Sequence, residues 1–151
     1  MKSIISKSML VLAICATLFS FRNKPGGEGF EIYLNNKVVV QQFGTDMSKV
    51  KNIRLTQNLA ADKLTIKYHH CERVGKKRIV TIKDAHNKVL KEFNYADVAT
   101  PVGAMTVNVK DLLILMRGNN QLKLYYSSSE LPKGRMLVSF STSAISTTTH
   151  R

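Results

Sequence analysis

Residues 63–93 read KLTIKYHHCERVGKKRIVTIKDAHNKVLKEF. Leu64, Ile66 and Tyr68 alternate with Lys63, Thr65 and Lys67, the pattern of a strand with one buried face. Gly75 turns the chain within 72–77, and a second strand begins at Ile79 and Val80. Asp84-Ala85-His86-Asn87 is a four-residue turn, after which 89–95 pairs back. A period of two, repeated in short runs and cut by turn residues, confines a chain to sheets.

The same period runs through most of the rest. Phe30, Ile32 and Leu34 share a face, and Asn35-Asn36 predicts a two-residue hairpin turn because Asn tolerates positive φ. Further strands are expected around Ile53 and Leu55, around Met105, Val107 and Val109, around Leu122, Leu124 and Tyr126, and around Met136, Val138 and Phe140. Residues 127–134, with Pro132 and Gly134, read as a polar turn. One run departs from the alternation. Asp111 precedes five apolar residues and Gly118 closes them, which predicts one short helix near 111–117. The expected fold is all-β: an antiparallel β-sandwich or open barrel of eight to nine short strands.

That domain spans 30–142. Residues 1–20 have the shape of a signal peptide: Lys2 and Lys7, then eleven largely apolar residues, 9–19. That run is shorter than the ~20 apolar residues a bilayer span needs. Cleavage is expected after Ser20, leaving no transmembrane segment. Ile14 stands where a lipoprotein signal needs a small residue, so lipid anchoring at Cys15 is not expected. Residues 21–29, with Pro25, Gly26, Gly27 and Gly29, form a linker, and the Ser/Thr-rich 143–151 form a flexible tail. The destination is the periplasm, the cell surface or the medium. Only Cys71 remains after cleavage, so no intrachain disulfide can form.

Charge narrows the choice of partners. The chain has 23 Lys and Arg against 10 Asp and Glu, a net of +13. Such a balance attracts anionic glycans, lipid headgroups or acidic proteins. Export and the lack of aromatic residues interleaved with the cations argue against nucleic acid. Arg73, Lys76, Lys77 and Arg78 form the densest basic cluster and are the candidate anion-binding residues.

His69-His70-Cys71 is the most chemically loaded spot. Imidazole and thiolate suit zinc or copper, and His69, Cys71 and His86 are the candidate ligands. A closed site needs more ligands at defined spacing, and none appears. The same residues offer a Cys–His nucleophile, with His69 or His86 as base and Asp84 as its orienter. No GxSxG, HExxH or Gly-rich phosphate loop is present, and Glu28 and Glu31 have no paired acid. The reading is an exported binding or structural accessory protein without catalysis or cofactor. The alternatives are a metal-binding or thiol-dependent protein using the His69/Cys71 strand end, and a secreted enzyme of another type. On strand parity His70 faces inward with Leu64 and Ile66.

KDAHNKVLKEF, the Asp111 segment and LYYSSSELPKGRMLVSF resemble a set of small exported proteins of Bacteroidota with no assigned function. The resemblance implies export and a β-rich domain. It carries no catalytic motif, so no site transfers from it.

Overall fold

The computed structural model describes residues 27–142. The signal peptide, residues 21–26 of the linker and the tail expected from sequence lie outside the described residues. In chain order the elements are β1 Gly29–Leu34, β2 Lys37–Phe43, β3 Lys51–Leu55, β4 Lys63–His69, β5 Arg78–Asp84, β6 Val89–Tyr95, β7 Met105–Asn108, α1 Val109–Met116, β8 Gln121–Ser128 and β9 Leu131–Thr142. The strands form two sheets, β2-β1-β4-β7 and β3-β9-β8-β5-β6, packed as a β-sandwich. Every ladder is antiparallel except β3–β9, which is parallel from Lys51↔Val138 to Leu55↔Thr142. The 3-10 turn Gly44–Ser48 carries the chain across to the second sheet, and β3 enters beside the last strand.

Turn chemistry fixes the register where the sequence is explicit. Asn35 and Asn36 have φ of 47° and 66°, the left-handed pair that matches strand twist in a two-residue hairpin. The Asn35 amide donates to Lys63 O, and the Lys63 amide donates to Asn35 Oδ1, tying the turn to β4. In the β5–β6 turn, Asp84 Oδ1 accepts from the His86 and Lys88 amides.

Two expectations are corrected. Residues 127–134 are not one turn: β8 runs to Ser128 and β9 starts at Leu131. Pro132 and Gly134 lie inside β9, where Gly134 takes φ 68° and the register slips between Tyr126 and Ser128. A bulge absorbs the residues that read as loop formers. The helix begins at Val109, with Asn108 at the N-cap position. Val109, Leu112, Leu113 and Met116 are buried at i, i+3, i+4 and i+7, so packing of that stripe sets the start. Asp111 sits in the first turn and pairs with Lys91 at 3.4 Å.

The core lies between the sheets. Phe30, Ile32, Leu64, Ile66 and Tyr68 face Val80, Ile82, Leu122, Leu124, Tyr126, Val138 and Phe140, all buried. Each such side chain contributes roughly 1.5–3 kcal/mol on burial. One side of the sandwich is joined by the Tyr95 hydroxyl, which donates to Thr106 O at 2.7 Å. On the other, Gln42 Nε2 donates to Asp46 O and Lys49 O and holds the 3-10 turn. Among the described residues no helix is long and apolar enough to cross a membrane.

Candidate functional site

β4 ends at His69, and residues 70–77 cross to β5 in the other sheet. The Arg73 amide donates to His70 O at 2.7 Å, starting the turn. Cys71, Glu72 and Lys77 take φ of 37°, 67° and 50°. His70 continues the inward parity of β4 and is 8% exposed. Its Nε2 lies 2.8 Å from the Tyr126 hydroxyl and 3.5 Å from Ser128 Oγ. Tyr68 stacks on Tyr126 with centroids 4.4 Å apart, and its ring lies 4.7 Å from the imidazole. The Tyr68 hydroxyl donates to Glu28 Oε1, while Arg135 Nη2 donates to Glu28 Oε2 at 3.2 Å.

Burial governs the titration of this cluster. It pushes the His70 imidazole below its ordinary range, with nearby Arg78 acting in the same direction and Glu130 and Glu28 opposing. It raises the Tyr68 and Tyr126 phenols. Gly75 closes the cluster from the crossover. A Cβ there would lie 2.8 Å from His70 Nε2 and 2.9 Å from the Tyr126 hydroxyl, so glycine is required by close approach.

A pocket of about 220 Å³ opens beside this cluster, lined by Glu28, His70, Cys71, Arg73 and Glu130. Its carboxylates are already engaged by protein donors: Glu28 as above, Glu130 Oε2 by the Lys76 amide at 2.9 Å. That amide holds the Glu130 carboxyl below the usual range. Cys71 is exposed at the pocket wall. Among the described residues no hydrogen bond joins its thiol to an imidazole, and His70 Nε2 is taken by Tyr126. Nucleophile and base therefore lack the contact that activation of a thiol uses.

The other residues singled out by sequence do not converge here. His69 turns to the outer face of the four-stranded sheet, 3.5 Å from Glu31 Oε2 and packed on Phe43. His86 sits in the β5–β6 turn, separated from the crossover by the whole of β5, about 20 Å at the usual strand rise. Asp84, expected as an orienter, spends Oδ1 on turn amides. Among the described residues no three His, Cys, Asp or Glu side chains are placed to hold a metal ion.

The basic cluster also divides. Arg78 is 5% exposed. It faces the interior, donating from Nη1 to Gly103 O at 2.9 Å and from Nη2 to Ala96 O at 2.6 Å. It clamps the connector between β6 and β7 and is withdrawn from any surface ligand. Arg73, Lys76 and Lys77 stay exposed. They are interleaved with acids, since the Lys77 amide donates to Asp97 Oδ1 and the Lys76 amide to Glu130.

A more uniformly basic surface lies elsewhere. On the outer face of the five-stranded sheet, register aligns Asn52, Ser139, Lys123 and Lys83 in one row and Arg54, Ser141 and Gln121 in the next. Lys83 Nζ lies 4.3 Å from the centre of the Tyr125 ring. Lys123 Nζ donates to Ala85 O and Asn87 Oδ1. Glu92, on the edge strand β6, pairs with Thr81 in the neighbouring row, and Asp84, next to Lys83, accepts from turn amides through Oδ1. Sequence parity places Arg54, Lys83, Lys123 and Tyr125 outward, but only the strand order brings them onto one surface. No protein-family model matches the chain, and no curated protein matches it.

Proposed function

We propose that this is an exported, non-catalytic binding protein that presents a cationic sheet face to an acidic polysaccharide. One observation carries the reading: seven of the ten acids are engaged within the protein, while among the described residues few lysines and arginines pair with a carboxylate. Glu28, Glu31, Asp46, Asp84, Asp97, Asp111 and Glu130 all accept hydrogen bonds or pair within the protein. Among the described lysines and arginines only Lys49, Lys91 and Arg135 form ion pairs with carboxylates. The positive excess is therefore left to solvent, where it raises the local concentration of polyanions.

Arg54, Lys83 and Lys123 with Tyr125 are the residues of this face. Gln121 beside them supplies an amide that can hydrogen-bond sugars, while Asn52 bonds Ser139 and Ser141 across the sheet. The signal-like 1–20 and the resemblance to exported proteins support the location. The test is retention on immobilised heparin as a model polyanion, comparing the native chain with Arg54→Ser/Lys83→Ser/Lys123→Ser. Release of the variant at clearly lower salt supports the reading. Identical elution would sink it.

A further inference from the structure

A second concavity lies beside α1 and shares no lining residue with the crossover pocket. It measures about 280 Å³ and is lined by Gln57, Ala60, Lys110, Leu113, Ile114 and Arg117. Val109, Leu112 and Met116 of α1 are used by the core, and Leu113, 4% exposed, also lines this groove. The outward stripe Lys110, Ile114 and Arg117 repeats at i, i+4 and i+7, so the three side chains share one line on the helix. Ile114 is 49% exposed at its centre. A lone exposed isoleucine needs no explanation. Here it forms one wall of a groove with Leu113 and Ala60. The stems of Lys110 and Arg117 extend that apolar wall while their charges stay at the rim.

We infer that this groove binds a single-chain fatty carboxylate, with the chain against Ile114, Leu113 and Ala60 and the head at a rim cation. The charge pattern selects the ligand class. The seven residue steps from Lys110 to Arg117 span about 10 Å along the helix, so an extended short acyl chain reaches from one cation toward the other. The volume falls just under the range of about 300–1,000 Å³ common for small-molecule sites, which fits a short chain. The nearest acid on the helix, Asp111, is paired with Lys91 and does not compete for the rim cations. A second copy is disfavoured by the chain's net charge of +13. A bilayer is disfavoured because interfacial helices present a broad apolar face, and Ile114 is the only large hydrophobic residue exposed on α1.

This inference does not depend on the polysaccharide reading, and the two can fail separately. The experiment is calorimetric titration of the full chain with decanoate below its micelle-forming concentration. Decanol and phosphatidylglycerol vesicles are parallel arms. The expected result is saturable one-to-one binding of decanoate, with decanol at least about tenfold weaker. Arg117→Ala or Lys110→Ala weakens decanoate binding by about fivefold, the scale of a partly exposed ion pair. Ile114→Asn abolishes it while leaving heparin retention intact. The Arg54/Lys83/Lys123 variant does the opposite. No saturable decanoate binding, equal affinity for decanol, unchanged affinity in all three α1 variants, or binding only to vesicles would each overturn the inference.

Discussion

His70 Nε2 and the Tyr126 hydroxyl lie 2.8 Å apart between the two sheets, joining residues 56 positions apart in sequence. The bond links the last turn of one sheet's central strand to a central strand of the other. Tyr68 stacks on the same phenol, and Gly75 lids the pair. The cluster is a structural joint, with the polar pocket as its outer rim.

Gly75→Ala tests the lid. The added Cβ meets His70 and Tyr126 inside van der Waals contact, and both are held by the core. We expect a loss of about 1–3 kcal/mol in urea unfolding. Gly118→Ala, where a Cβ meets nothing within 4 Å, serves as the control and changes stability far less.

Acid should loosen the same joint. The folded imidazole titrates below its unfolded value of about 6.5. Between those two values the unfolded chain binds a proton that the native state does not, so stability rises with pH. It is full above about 6.5 and falls as pH drops through that window. Urea midpoints near pH 7.5 and pH 5.5 should therefore differ. His70→Gln should flatten the difference, because Gln does not titrate. Glu130, whose carboxyl the Lys76 amide holds below its ordinary value of 4.5, loses its own contribution only as pH falls below about that value, beneath the pH 5.5 point.

Arg78 should behave as a structural residue. Arg78→Met removes the donors to Ala96 O and Gly103 O and leaves both carbonyls without them. The expected cost is about 2–4 kcal/mol, with faster amide exchange in residues 96–104. Heparin retention should change no more than for removal of any single charge.

Tyr95→Phe removes the hydroxyl that joins β6 to β7 across the sandwich. About 0.5–1.5 kcal/mol of stability should be lost. In the native protein burial pushes this phenol up to about 12, so its ionisation, followed by absorbance, should be delayed well past that of free tyrosine.

The period-two runs carried the fold. Leu64, Ile66 and Tyr68 point inward as alternation requires, His70 follows them, and Asn35-Asn36 makes the tight hairpin its composition indicates. What escaped was non-local. The parallel β3–β9 ladder joins segments about 87 residues apart, and no short pattern encodes it. Pro132 and Gly134 are loop formers by composition, yet a bulge holds them inside β9. Arg78 looked like one more cation in a basic turn, because parity alone does not reveal which arginine finds buried carbonyls. The basic face was hidden for the same reason. Arg54, Lys83 and Lys123 lie on three strands whose order appears only after folding.

Arg54, Lys83 and Lys123 form the sheet face proposed to bind a polyanion. The most direct measurement is the salt needed to release the protein from heparin, for the native chain, for Arg54→Ser/Lys83→Ser/Lys123→Ser and for Arg73→Ser/Lys76→Ser/Lys77→Ser. All three chains must retain native circular dichroism. Because exposed charges act through a screened field, the account predicts native release at high salt, a large drop for the sheet-face variant and a smaller one for the crossover variant. Equal drops for two variants that lose the same charge would show that net charge alone drives retention and would contradict the account.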